Sequence, residues 1–139
     1  MNKNLAGMMV AMVLVLGAAV PVMAQYNGTM KVTIPFSFAV ENDHLQAGEY
    51  TIQRVANGRL RIQSNDGRTK AVFVAMPKEG NVVPEKAHFI FHRYGSEYFL
   101  ATIWTPGLET GWEVLQGKRE TEVARNATAP METATLMSH

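Results

Sequence analysis

The strongest hydrophobic pattern in the chain lies in His88–Trp104, where two aromatic and β-branched runs flank a glycine. Residues of these types fit the pleated surface of a strand better than a helix. A glycine at the first central position is typical of a two-residue type II′ turn. The pattern predicts a β-hairpin with Gly95 and Ser96 as its loop.

The two-residue loop also predicts the register of the hairpin, because side chains alternate strictly between the two faces of a strand. The pairs predicted on one face are Tyr94–Glu97, His92–Phe99, Ile90–Ala101 and His88–Ile103. The other face carries Phe89, Phe91, Leu100 and Trp104 and is the more apolar of the two. We therefore expect that face to form the core.

Short alternating segments separated by turn residues precede the hairpin. Lys31–Ile34 alternates and then meets Pro35, which predicts an edge strand or a break at the proline. Asn57-Gly58 is a strong hairpin signal. Further strands are predicted at 36–40, 48–52, 60–62 and 71–76, the last ending at Pro77. The order is that of an antiparallel meander.

The region after the hairpin gives weaker signals. Gly111–Leu115 predicts a short last strand, and Lys118–Arg125, with its interleaved charges, predicts a helix of one or two turns. The stretch 126–139 has no periodic apolar face, so we expect it to be a disordered tail. The predicted fold is all-β: one antiparallel β-sandwich or flattened barrel of about seven or eight strands over residues 25–125, with a short C-terminal helix.

Residues 1–24 have the pattern of an export signal. Lys3 precedes an apolar stretch, and small residues close the segment before a predicted cleavage between Ala24 and Gln25. The apolar part is shorter than the roughly 20 residues that a membrane span needs. We expect an exported protein, periplasmic or extracellular, with no membrane span in the mature chain.

Composition limits both the partners and the source of stability. The chain has 13 basic and 12 acidic side chains without a long run of either sign, which argues against nucleic-acid binding. It contains no cysteine, so disulfides cannot stabilise the exported domain. Burial of an apolar core is then expected to hold the fold together.

Catalytic and metal-binding motifs are absent from the sequence. There is no G-x-S-x-G elbow, no phosphate loop and no H-E-x-x-H motif. His88 and His92 on a strand lie about 13 Å apart, too far to share one metal ion. Glu109 and Glu113 form a possible carboxylate pair, but such pairs are common on solvated surfaces. We expect no enzyme, metal or cofactor, although a pocket with a histidine hydrogen-bonded to a carboxylate would favour a hydrolase.

Four aromatic residues near the hairpin and its exit are candidate ligand-binding residues: Tyr94, Tyr98, Trp104 and Trp112. Exposed aromatic faces stack on sugar rings and apolar ligands. Burial in the core is the commoner fate of such residues. A small-ligand or carbohydrate binding module is therefore the alternative to a purely structural or protein-binding role.

Two stretches resemble a family of small exported bacterial proteins that have no assigned activity. They are Ile34-Pro35-Phe36-Ser37-Phe38 with Leu45–Ile52, and Phe91-His92-Arg93-Tyr94-Gly95 with Tyr98-Phe99-Leu100 and Ile103-Trp104. Gln46 stands where relatives often have proline. The resemblance implies export and a compact β domain, and it transfers no catalytic residue. We expect a non-enzymatic protein that acts by binding or structural association with an unknown protein or envelope partner, its oligomeric state open.

Overall fold

The structure, a computed structural model, describes residues 28–139; the predicted leader and its cleavage site at Ala24 and Gln25 lie outside this range. The described residues form ten strands and one helix. No helix among them is long and apolar enough to cross a membrane. The elements are β1 (Thr29–Ile34), β2 (Phe38–Val40), β3 (Asp43–Leu45), β4 (Gly48–Ala56), β5 (Arg59–Ser64), β6 (Lys70–Glu79), β7 (His88–Tyr94), β8 (Glu97–Trp104), β9 (Thr110–Val114), α1 (Lys118–Asn126) and β10 (Glu132–Met137).

The all-β prediction is confirmed, with more strands than the sequence pattern indicated. The strands follow the path β1-β4-β5-β6-β9-β8, and β7 and β10 continue beyond β8. A backbone hydrogen bond of 3.2 Å from His139 N–H to Lys31 C=O brings the end of this path back beside β1. The sheet thus approaches the predicted flattened barrel. One pairing is parallel rather than antiparallel, that of Ala39 in β2 with Phe99 in β8.

Strand β6 forms a corner of the barrel by changing partner halfway along its length. Residues 70–74 pair with β5, and residues 75–79 pair with β9 on the other side. Pro77 was predicted to end this strand, but β6 continues through it to Glu79. The proline is tolerated because that half of β6 is paired on one side only, so a missing N–H leaves no gap in a second ladder.

Aromatic side chains fill the centre of the barrel. Phe91 of β7 makes edge-to-face contacts with Phe36 at 5.1 Å and with Phe38 at 5.7 Å between ring centroids. Phe38 in turn contacts Tyr50 of β4 at 5.4 Å. Phe89, Phe91 and Phe73 are fully buried. The predicted core face of the hairpin is therefore correct for β7.

The register of the hairpin is right near the turn and wrong beyond it. Gly95 has φ of 62°, and Tyr94–Glu97 and His92–Phe99 pair as predicted. A β-bulge next to Ala101 then shifts the pairing, so that Phe89 faces Ile103 and His88 faces Trp104. An extra residue inverts every later side chain in a strand. Ile103 therefore enters the core, whereas Trp104, predicted there, lies half-buried on the outer face.

The prediction of a disordered tail over 126–139 is wrong. Asn126 completes α1, and Glu132–Met137 form β10, which pairs antiparallel with β7 along six residues. The sequence of β10 shows little alternation of apolar and polar residues, because none of its side chains is fully buried. The strand forms because the edge of β7 offers unpaired backbone groups.

The tight turn between β2 and β3 ties the corner of the barrel to the helix. Glu41, with φ of 53°, accepts a hydrogen bond of 2.6 Å from Val74 N–H, at the point where β6 changes partner. Asn42 Oδ1 accepts a bond of 3.0 Å from Lys118 N–H and so caps the first turn of α1. Gly117 packs directly against this turn, because a Cβ there would lie 2.1 Å from the Glu41 carbonyl oxygen.

We predict that Gly117→Ala destabilises the protein by about 1–3 kcal/mol, the usual cost of forcing an extra methyl into a packed site. The φ of Gly117 is −83°, which alanine adopts freely, so the cost comes from the clash with the Glu41 carbonyl and the Asn42 side chain. Urea unfolding measures the change, with the adjacent exposed Gln116→Ala as the control. Equal midpoints for the two variants would contradict the close contact.

Candidate functional site

Helix α1 rests on the outer face of the β7–β8 hairpin through a charged side chain. Its one buried residue is Glu120, which is 5% exposed. Helices that pack on sheets usually do so through an apolar stripe. A buried carboxylate is costly unless other groups pair with it. The contacts of Glu120 therefore decide how α1 is held.

Glu120 Oε2 meets two side chains of β7. His92 Nδ1 lies 2.7 Å away, and the hydroxyl of Tyr94 donates a hydrogen bond of 3.1 Å to the same oxygen. Burial, followed by the negative charge of Glu120, raises the pKa of Tyr94 above its usual value. The phenol therefore stays protonated and remains a donor. His92 and Tyr94 share the outer face of β7 because they are two residues apart.

A second, weaker link joins the helix to the hairpin. The guanidinium of Arg119 contacts both carboxylate oxygens of Glu97, at 3.0 and 3.2 Å. Both side chains are largely exposed, so the pair contributes little to stability. The contacts of Glu120 with His92 and Tyr94 are thus the main anchor of α1 on the hairpin.

A cleft of about 200 Å³ opens beside this anchor, between the start of α1 and the outer face of β6, β8 and β9. The His92 ring lines it, and its side chain is 33% exposed. Since Nδ1 is engaged with Glu120, Nε2 is the ring nitrogen left for a ligand. The other lining residues are Met76, Lys78, Ala101, Thr102, Glu113, Val114, Leu115, Gln116 and Glu120. The cleft is smaller than the usual range of small-molecule pockets, about 300–1,000 Å³.

Four exposed apolar side chains continue from the cleft along the outer face of the sheet, and we call them the outer stripe: Val72, Val74, Met76 and Leu115. They are 51%, 40%, 59% and 52% exposed. The first three alternate along β6, and Leu115 N–H bonds to the Val74 carbonyl at 3.0 Å. Arg61 and Arg59 on β5 pair with Val72 and Val74 and form a basic rim. The stripe therefore combines apolar surface with positive charge on one side.

The sequence pattern predicted neither the outer stripe nor the anchor at Glu120. The unbroken run Ala71–Met76 predicts a strand but does not say that only alternate residues are buried. Glu120 stands among other charges in a helical segment, where exposure is the usual expectation. The one available signal for the Glu120 anchor was that His92 and Tyr94 lie on the same face of the predicted hairpin.

The four aromatic residues proposed as a ligand site do not share one face. Tyr98 and Trp112 pack against the core, and Tyr98 stacks on Phe36 at 3.8 Å. Tyr94 and Trp104 lie on the outer face, separated by the length of β7, about 20 Å. Trp104 covers the backbone of Gly80 and Gly111, where a Cβ would lie 2.8 and 2.6 Å from its ring. A single ligand touching all four is therefore not supported by this arrangement.

The candidate metal and carboxylate residues are also separated. His88 and His92 lie on the outer face of β7, as expected from their spacing. Within residues 28–139, no group of three or more histidine, aspartate or glutamate side chains is placed to hold a metal ion. Glu113 lines the cleft, whereas Glu109 lies in the loop before β9 and its carbonyl accepts a bond from Gly80 N–H.

Comparison with known proteins gave no relative: no family model, no curated protein and no solved structure matches this chain.

We predict that Glu120→Gln and Tyr94→Phe are coupled in their effects on stability. Tyr94→Phe removes the donor of the hydrogen bond between Tyr94 and Glu120, and Glu120→Gln removes the negative charge of its acceptor. The two losses should therefore fall short of additivity by about 0.5–3 kcal/mol. A double-mutant cycle by urea unfolding measures the coupling. Hydrogen exchange in α1 should rise in Glu120→Gln, and additive losses with unchanged exchange would contradict the anchor.

Proposed function

We propose that this protein is a non-enzymatic exported protein that binds another protein through the outer stripe. The observation that carries this proposal is the contiguous exposure of Val72, Val74, Met76 and Leu115. These residues lie directly beside β6 or on it, and β6 pairs with β5 over residues 70–74 and with β9 over residues 75–79. Contiguous apolar patches of this kind mark interaction surfaces.

The surroundings of the stripe indicate the chemistry of the partner. Arg59 and Arg61 border Val72 and Val74 and favour acidic residues at that end. At the other end, Met76 and Leu115 lead into the cleft of His92 and Glu120, whose small volume suits one inserted side chain. We therefore propose a partner segment with apolar residues flanked by acidic ones.

Export is supported by the sequence of residues 1–24 and by the resemblance to small exported bacterial proteins. We propose that the chain begins at Gln25 after cleavage and acts in the periplasm or outside the cell. The absence of cysteine is compatible with an oxidising compartment, because no thiol is there to be mispaired.

Photocrosslinking in cells that export the protein tests the proposal. A benzophenone amino acid replaces Val72 in one variant and Val83 in the control, since both valines are 51% exposed. We expect a defined crosslinked product from position 72 alone, and Val74→Lys should reduce it at least about tenfold. Equal products from both positions, or no effect of Val74→Lys in a folded variant, would contradict the proposal.

A hydrolase is the second candidate function, because His92 and Glu120 form a hydrogen-bonded pair in a cleft. Such a carboxylate orients a histidine that acts as a general base. The small-ligand alternative has weaker support, since its four aromatic residues lie on two faces.

We predict that the purified protein hydrolyses an activated ester no faster than its His92→Gln variant. The expectation rests on the cleft, whose lining has no serine or cysteine and has one hydroxyl, that of Thr102, a buried residue. Spectrophotometric release of nitrophenol measures the rate. Turnover that disappears in His92→Gln but persists in Glu97→Gln would favour the hydrolase instead.

A further inference from the structure

The edge of β7 needs a covering strand. Its side chains Phe89 and Phe91 are fully buried, and its seven residues contain neither proline nor glycine. An uncovered edge of this length and hydrophobicity pairs readily with other chains. In the structure, β10 occupies it from Glu132 opposite Arg93 to Met137 opposite His88.

The covering strand is itself weakly attached to the body of the protein. None of its six side chains is fully buried; only Ala134 and Leu136 are half-buried, against the core. The strand therefore owes its position chiefly to the backbone ladder with β7. A few bonds beyond it, such as the 2.9 Å bond from Ser138 N–H to Ala87 C=O, complete its attachment.

The connection from α1 to β10 is also loosely packed. Residues 127–131 are all exposed. A depression of about 390 Å³ separates the start of this connection from the hairpin tip at Tyr94 and Gly95. An exposed link without packed side chains can change direction at little cost to the rest of the fold. It is therefore a suitable hinge for β10.

We propose that the β7 edge is a strand-exchange site whose partner is β10 of a second copy of this chain. Every contact that β10 makes with β7 in one chain is available between two chains, because the sequences are identical. The exchanged dimer keeps the backbone hydrogen bonds between β10 and β7. It loses only the entropic advantage that β10 has when it belongs to the same chain as β7. The extent of exchange therefore rises with protein concentration. This site is separate from the outer stripe and does not depend on the proposed function.

The absence of cysteine allows a direct test with introduced thiols. Thr135 of β10 and Ile90 of β7 are direct neighbours on the outer face, so their Cβ atoms lie about 4.5–5.5 Å apart. Chains starting at Gln25 and carrying Ile90→Cys are mixed with chains carrying Thr135→Cys and a short N-terminal mass tag. The mixture is concentrated, warmed below the unfolding transition, diluted and oxidised.

We expect mixed disulfide dimers at least about tenfold more abundant than in a control mixture of Ile90→Cys with Val83→Cys. Val83, like Thr135, is exposed, but it is not paired with β7. The double variant Ile90→Cys with Thr135→Cys should close a disulfide within one chain when it is kept dilute. Mixed dimers no more abundant than in the control would overturn the exchange. Failure of the double variant to close would remove the strand pairing on which the proposal rests.

Discussion

The contacts of Phe91 with Phe36 and Phe38 are the interaction on which the rest of the structure depends. Phe38 also touches Tyr50, so a continuous row of rings connects β7 with β4 across the barrel. Burying such side chains provides the main favourable term in folding, and removing one large aromatic from a core costs about 3–5 kcal/mol. In a chain without cysteine, this packing takes the place of disulfides.

Polar contacts fix the positions of the elements around that core. Glu41 accepts a hydrogen bond from the Val74 N–H at the corner of β6. Glu120 holds α1 on the hairpin through His92 and Tyr94. A buried carboxylate with its partners adds less stability than an apolar side chain of similar size, but it is specific about geometry. As a result, the helix covers one part of the outer face and leaves the outer stripe open.

The sequence predicted those features that depend on neighbouring residues. The hairpin turn follows from Gly95, and the break after Ile34 follows from Pro35. The bulge at Ala101 was not predictable, because it depends on what covers each face of β8. Strand β10 was missed because a strand that completes another strand's edge needs no apolar face of its own. The anchor at Glu120 could not be predicted without knowing that α1 packs against the hairpin. Glu120 lies 28 residues after His92 in the chain.

Hydrogen exchange measured under native conditions tests the central role of the aromatic core most directly. If that core holds the fold, the slowest amides of β7 and β8 exchange only by global unfolding, with a free energy equal to that from urea denaturation. The amides of α1 and β10 should exchange at lower free energies, since these elements bury few apolar side chains. Amides of β7 that bond to β8 and still exchange as readily as those of α1 would contradict the account.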